Sequence, residues 1–130
     1  KIPACPNITF GFTNVKDVAK LHIESLTNPE SENKRIICSH SEPIEMLEVA
    51  KFLRESGFNK APSKKLPDFV VKILALINSD MKSMKTYLGV KTKFDISQTK
   101  EIFNWNPASI KDTIVESGIA VKKIIDQRAN

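Results

Sequence analysis

The sequence predicts an α/β fold that is mostly helical, with a few short strands and about five helices in one domain that spans all 130 residues. One observation behind this is the order strand, helix, strand, helix, which the first 57 residues establish. The other is the helical spacing of apolar residues in several segments of the second half. A composition of 41% hydrophobic and 27% charged residues is ordinary for a compact domain of this length.

The first half begins with a predicted strand over residues 8–12, which are short and aromatic. Asn14 can then cap a helix over residues 16–26, because its side-chain oxygen can accept from the amide of Asp17. Residues 35–39 are apolar on both faces, as strands buried in a parallel sheet are. Helical spacing predicts that the first helix buries one apolar face, formed by Val15, Val18, Ala19, His22, Ile23 and Leu26.

The second predicted helix lies between Pro43 and Gly57. Proline fits the first turn of a helix, where its missing amide costs no hydrogen bond, and glycine fits the stop. The expected buried stripe of this helix consists of Met46, Leu47, Ala50 and Leu53. Two further helices are predicted, over residues 67–77 and over residues 81–89, with a break at residues 78–80. Together they should form an apolar helical hairpin.

A brief strand is predicted near residues 93–95, before the last two helices. Asn104 can take the left-handed backbone conformation that ends the first of these helices. Ser109 and Asp112 fit the opening of the final helix. Its apolar line is Ile110, Ile114, Val121, Ile124 and Ile125. Gly118 interrupts that line, and we expect another backbone to approach the helix there.

The net charge of +5 is concentrated in residues 60–93, which carry eight basic and two acidic side chains. Such a cluster can attract an anionic partner, or it can be a solvated lysine-rich face. Arginine and aromatic residues are not interleaved with these lysines, so we expect no nucleic-acid partner. The two cysteines, Cys5 and Cys38, need no structural disulfide in a domain of this size, and we interpret them as reduced thiols packed as small apolar groups.

No targeting or membrane-spanning segment is expected. The longest apolar run, over residues 69–77, is far shorter than the roughly 20 residues that cross a bilayer. Nothing before Ile8 resembles a secretory leader, and the first residue is Lys1. We therefore expect part of a longer protein, located in the cytoplasm and without a membrane partner.

Catalytic and metal motifs are weak. Tyr87-x-x-x-Lys91 matches the tyrosine and lysine pair of short-chain dehydrogenases, but Gly89 lies between the two residues at a predicted helix stop. The histidines, His22 and His40, and the two cysteines lack metal-type spacing. Four glycines give no Gly-x-Gly-x-x-Gly pattern. We therefore expect no catalytic, metal-binding or cofactor-binding residue in this chain.

Four segments, in this order, resemble one family. They are Gly11-Phe-Thr-Asn-Val-Lys-Asp-Val-Ala19, the predicted helix at residues 45–54, Lys65-Leu-Pro-Asp-Phe69, and Asn104-Trp105-Asn-Pro107. The chain resembles the C-terminal, substrate-side portion of an extended short-chain dehydrogenase/reductase, in the dihydroflavonol-reductase-like and aldehyde-reductase-like branch. Phe103 and Asn104 stand where that family usually has leucine and glycine.

The resemblance implies a Rossmann-type reductase or epimerase whose upstream half binds NAD(P) and carries the catalytic residues. This chain alone would then be inactive and bind no cofactor. Its hairpin would form one wall of the site for a small-molecule carbonyl substrate, with Phe69, Ile73 and Met84 as contacts, although core packing is the alternative for each. Asp17 would serve local hydrogen bonding, and Trp105 would be a core anchor.

Two further expectations concern partners. Because the implied upstream half would cover the first helix and the strand at residues 35–39, the isolated chain should expose apolar surface and self-associate. The alternative function is a free-standing basic α/β interaction module that binds a protein or an anionic partner.

Overall fold

The computed structural model describes residues 4–77 and 79–128. Of Asp80 it describes only the backbone. Its helices are α1 Val15–Ser25, α2 Met46–Glu55, α3 Asp68–Leu74, α4 Ser79–Thr86, α5 Ser97–Phe103 and α6 Ile110–Arg128, and a short 3-10 helix spans Pro29–Ser31. The strands are β1 Thr9–Phe10 and β2 Ile44–Glu45. The predicted class, α/β and mostly helical, is confirmed, with six α-helices in the described residues rather than about five.

The sheet of the described residues consists of two short antiparallel strands, in which Thr9 lies opposite Glu45 and Phe10 opposite Ile44. The prediction of a strand within residues 8–12 is confirmed, although only two residues of it pair. Pro43 was predicted to lie in the first turn of the second helix, and this is wrong. The residue precedes β2, and α2 begins immediately after that strand.

The predicted strand at residues 35–39 is absent from the structure. The side chain of Thr99, which is fully buried, occupies the place of a neighbouring strand. Its Oγ1 accepts from the amide of Ile37 at 3.1 Å and donates to the carbonyl of Ile37 at 2.9 Å. The strand predicted near residues 93–95 is also absent, and the amide of Phe94 donates to the carbonyl of Ser41. In both segments, a single side chain or loop partner takes the place of a paired strand.

Helix α1 has the predicted cap but buries a different face. The Asn14 side chain accepts from the amide of Lys16 at 2.9 Å, one residue earlier than predicted. Leu21 is the buried apolar residue, because α1 packs through it against Ile96 and Trp105. The predicted apolar face is wrong: its members Val15, His22, Ile23 and Leu26 are exposed.

The hydrophobic core surrounds Trp105, which is 3% exposed. Its partly buried neighbours are Ile36, Ile37, Cys38, Phe94 and Phe103. The expectation that Trp105 anchors the core is therefore confirmed. Asp17 acts over a longer range than predicted, because its Oδ2 accepts from the amide of Ala108 at 2.8 Å, 91 residues away. One segment that carries the family resemblance thus contacts the residue directly after another.

Helix α2 packs against α6. A Cβ at Gly118 would lie 2.8 Å from Cδ2 of Leu53 and 3.2 Å from the ring of Phe58. The predicted close approach at this glycine is confirmed, but side chains rather than a backbone approach it. Asn104 (φ 44°) has the predicted left-handed conformation, and so does Gly57 (φ 92°), two residues after the end of α2.

Both cysteines are free, as predicted. Burial raises the pKa of the Cys5 thiol, against a smaller lowering by the charge of Arg54. Burial also raises the pKa of Cys38, whose sulfur lies 3.1 Å from the hydroxyl of Thr13. Thiols with a raised pKa stay protonated near neutral pH, so both side chains serve as packing groups.

Asn14 joins the first helix to the last, and Asn14→Ala should lower the free energy of unfolding by about 1–3 kcal/mol. The amide Nδ2 donates to Oγ1 of Thr113 at 3.2 Å and to Glu116 at 3.4 Å, in addition to the cap that Oδ1 provides. Urea denaturation measures the change. Asn14→Ser keeps a capping oxygen but lacks the amide, so it should lose less of the free energy of unfolding than the alanine variant. An alanine variant within about 0.5 kcal/mol of the native protein would contradict this assignment.

Glu116 should make part of the stability dependent on pH. Hydrogen bonds from Lys16 and then from Asn14 hold the pKa of its carboxyl below the ordinary value of 4.5. Because the folded pKa is depressed, the stabilisation is complete above the unfolded pKa and is lost as pH falls through the folded pKa. Urea denaturation should therefore show a stability gap between native protein and Glu116→Gln at about pH 7 that closes near pH 3. A gap that widens on acidification would disprove this linkage.

Candidate functional site

The three predicted substrate contacts lie on the hairpin formed by α3 and α4, which pack against each other. Phe69 and Ile73 are four residues apart, so they share one face of α3, and they are 64% and 55% exposed. Met84 is half-buried on α4. Phe69 and Ile73 are therefore surface residues of the described domain, and their role as substrate contacts stays a prediction. Helix α3 ends three residues before the predicted end, and residue 78 of the predicted break lies outside the described residues.

The exposed apolar surface of the hairpin continues beyond these contacts. We define the hairpin surface as Phe69, Ile73, Leu74, Leu76, Ile77, Met84, Tyr87 and Val90, all exposed except the half-buried Met84. Leu76 and Ile77 are the most exposed of them. A monomeric protein rarely shows this many large apolar side chains in one short stretch unless the stretch binds something.

The base of the hairpin is fixed to the rest of the domain. Val71 is completely buried. The amide of Gly89 donates to the carbonyl of Asn7 at 2.9 Å, and the hydroxyl of Thr9 donates to the carbonyl of Val90 at 2.7 Å. The hairpin surface is therefore presented by an anchored element.

Lysines surround this surface. Glu45 lies within 4 Å of the ammonium groups of Lys65 and Lys91, at 3.6 and 3.8 Å. In the described part of the chain, the other lysines of the hairpin form no ion pair with a described carboxylate; they are Lys72, Lys82 and Lys85. Among the described side chains, three lysines of the hairpin are thus without a carboxylate partner.

Tyr87 and Lys91 lack the geometry of a catalytic pair. Helix α4 ends at Thr86, and Gly89 between them has a left-handed backbone (φ 72°). The Lys91 ammonium is directed to Glu45, at 3.8 Å. Lowering the tyrosine pKa requires a lysine on the same helical face, and here no helix joins the two residues.

The histidines serve as hydrogen-bond donors to backbone carbonyls. Nδ1 of His22 donates to the carbonyl of Val18 at 2.8 Å, and Nε2 of His40 donates to the carbonyl of Ala108 at 2.7 Å. Within residues 4–77 and 79–128, no three side chains of His, Cys, Asp and Glu are grouped to hold a metal ion. None of the helices in that part of the chain has the length and apolar character to cross a bilayer.

A second candidate site, which sequence reasoning missed, is a groove between α2, the turn at residues 57–61 and α6. Its volume is about 920 Å³. Its walls are mainly apolar, from Val49, Leu53, Phe58, Ile114, Val121 and Ile125. The apolar line of the last helix and the unusual Gly118 were the available signals. Neither one indicated which helix would pack beside it.

Comparison with known proteins gives no relative: no protein-family model, curated protein or solved structure matches the chain. The functional argument therefore depends on the residues and geometry described above. Two surfaces carry it, the exposed hairpin surface and the groove between α2 and α6.

The exposed apolar side chains should make the protein self-associate at high concentration. Static light scattering should give a mass above that of the monomer, because association removes apolar surface from water. Replacing Leu76 and Ile77 together by serine should reduce the association. Leu26→Ser tests the contribution of the first helix, since Leu26 is 84% exposed directly after the end of α1. A clean monomer at high concentration would contradict this prediction.

Proposed function

We propose that this chain is the substrate-binding, C-terminal portion of an NAD(P)-dependent oxidoreductase of the carbonyl reductase or epimerase type. The hairpin surface would bind the apolar body of a small-molecule carbonyl substrate. The observation that carries the proposal is the pair Phe69 and Ile73, exposed side by side on an anchored helix, with Met84 on the helix packed against it. Such an apolar wall suits an aromatic or aliphatic carbonyl compound better than a sugar.

The packing of the domain supports this proposal. Asp17 in one family-like segment accepts from the amide of Ala108, next to another such segment. Helix α1 also leaves Val15, Ile23 and Leu26 exposed. In an extended Rossmann-type enzyme, the nucleotide-binding half would cover these exposed apolar side chains.

The residues present do not fit a nicotinamide dinucleotide. The four glycines stand at positions 11, 57, 89 and 118, and none contributes to a glycine-rich phosphate loop. We therefore assign to this chain only the binding and orientation of the substrate and the exclusion of water from its apolar part. NAD(P) would be held by the upstream half of the intact protein, without help from these residues.

We also propose a cytoplasmic location, with no membrane or nucleic-acid partner. Free thiols at Cys5 and Cys38 suit a reducing compartment.

The lysines of the hairpin favour a second candidate function, an interaction module for an anionic partner. Lys72, Lys82 and Lys85 carry this alternative, because they form no ion pair with a described carboxylate. Binding that weakens steeply with salt would distinguish it from apolar binding.

The proposal predicts weak binding of an apolar ketone at the hairpin. Benzylacetone, titrated into the protein, should shift the NMR signals of Phe69, Ile73 and Met84. Phe69→Ser should weaken the affinity roughly fivefold to tenfold, because it removes the largest apolar contact. Leu26→Ser removes an exposed leucine elsewhere and should leave the affinity unchanged. Shifts confined to other parts of the domain would refute the assignment.

The same protein should neither bind nor use the cofactor. Adding NADH or NADPH should cause no saturable change in the NMR spectrum and no reduction of the ketone. Turnover of any aldehyde or ketone by this chain would overturn the proposed division of labour.

A further inference from the structure

We propose that the groove between α2 and α6 is a second binding site, for a long-chain carboxylate. It shares no residue with the hairpin surface. The inference therefore goes beyond the proposed function and can be tested separately from it.

The floor of the groove is formed where Leu53 and Phe58 pack directly against Gly118 of α6. Ile114 is buried beneath it, and Leu53 and Phe58 approach so closely that a Cβ at Gly118 would lie 2.8 and 3.2 Å from them. The resulting volume of about 920 Å³ is within the range of roughly 300–1,000 Å³ that is usual for small-molecule sites. The apolar floor favours a hydrocarbon chain as the occupant.

The open side of the groove follows the last helix. Val121 and Ile125 are four residues apart, so they lie on one face of α6, and both are exposed at the groove. Helix α6 has 19 residues and α2 has 10. The lining residues on α6 run from Ile114 to Ile125, about 16 Å along the helix axis, so the groove is elongated.

Charge decides the head group of the ligand. Lys60 and Lys122 line the groove. The ammonium of Lys122 is bound to Asp126 at 2.5 Å, whereas no described carboxylate lies within 4 Å of Lys60. The ammonium of Lys60 thus lies beside the apolar groove without a described carboxylate partner. A single carboxylate complements it, while a neutral chain leaves it unused.

The turn that carries Lys60 is built by its own hydrogen bonds. The amide of Phe58 donates to the carbonyl of Leu53 at 3.0 Å, and that of Ala61 donates to the carbonyl of Phe58 at 2.9 Å. The guanidinium of Arg54 donates to the carbonyl of Pro62 just beyond the turn. Lys60 therefore extends from a fixed backbone.

The test uses a fluorescent polyene carboxylate as the probe, with palmitate and hexadecanol as competitors below their aggregation limits. Palmitate should displace the probe at a concentration at least tenfold lower than hexadecanol requires. Lys60→Glu should weaken the affinity for palmitate roughly tenfold and leave the affinity for hexadecanol unchanged. Lys60→Arg should retain palmitate binding. Lys64→Glu is the charge-matched control, because Lys64 is exposed outside the groove, and it should retain binding as well.

A second pair of variants tests the apolar lining of the groove. Val121 and Ile119 are 55% and 58% exposed on the same helix, but only Val121 lines this groove. Val121→Trp should weaken the affinity for the probe roughly tenfold, and Ile119→Trp should weaken it less than about twofold. Circular dichroism should show an unchanged fold for both, since neither side chain is buried.

Three results would overturn this inference. They are equal affinity for palmitate and hexadecanol, equal effects of the two tryptophan variants, and a dimer that Val121→Trp abolishes, which would identify a second copy of the chain as the occupant. Phe69→Ser should leave palmitate binding unchanged. In the native protein, palmitate binding without ketone binding would reject the proposed function alone, and ketone binding without palmitate binding would reject the groove alone.

Discussion

The junction between the start of α1 and the start of α6 is the interaction on which the rest of the structure depends. Asn14 caps α1 and donates to Thr113, while Asp17 one turn later accepts from the amide of Ala108. These contacts join residues about 100 positions apart. They hold Leu21 against Trp105, and that contact is the centre of the core. With α6 held in this way, its next two turns lie against α2 and form the groove.

The sequence predicted features that are local and missed those that need a distant neighbour. Asn14, Gly57 and Asn104 were recognised because capping and left-handed turns depend on a few adjacent residues. The face that α1 buries was predicted wrongly, because apolar residues occur on more than one side of this helix. Only the position of Trp105, far along the chain, decides that Leu21 faces inward.

The missing strand at residues 35–39 has a similar cause. An apolar, extended segment becomes a strand only when another strand supplies hydrogen bonds, and the periodicity of the segment does not reveal whether one is present. Here the hydroxyl of Thr99 satisfies both polar groups of Ile37. A threonine in a predicted helix gave no signal for that role. Of the candidate site, the sequence identified the hairpin residues, but exposure was needed to separate a surface from a core.

The two apolar surfaces depend on different parts of the fold, and this makes their functions separable. The hairpin is held by the buried Val71, by the hydrogen bond from the amide of Gly89 to the carbonyl of Asn7, and by the hydrogen bond from the hydroxyl of Thr9 to the carbonyl of Val90. The groove instead depends on the packing of α2 against α6 and on Gly118. An exposed substitution in one surface therefore changes no contact that forms the other. The two surfaces are joined along the chain by residues 62–67, which run from the turn of the groove to the start of α3.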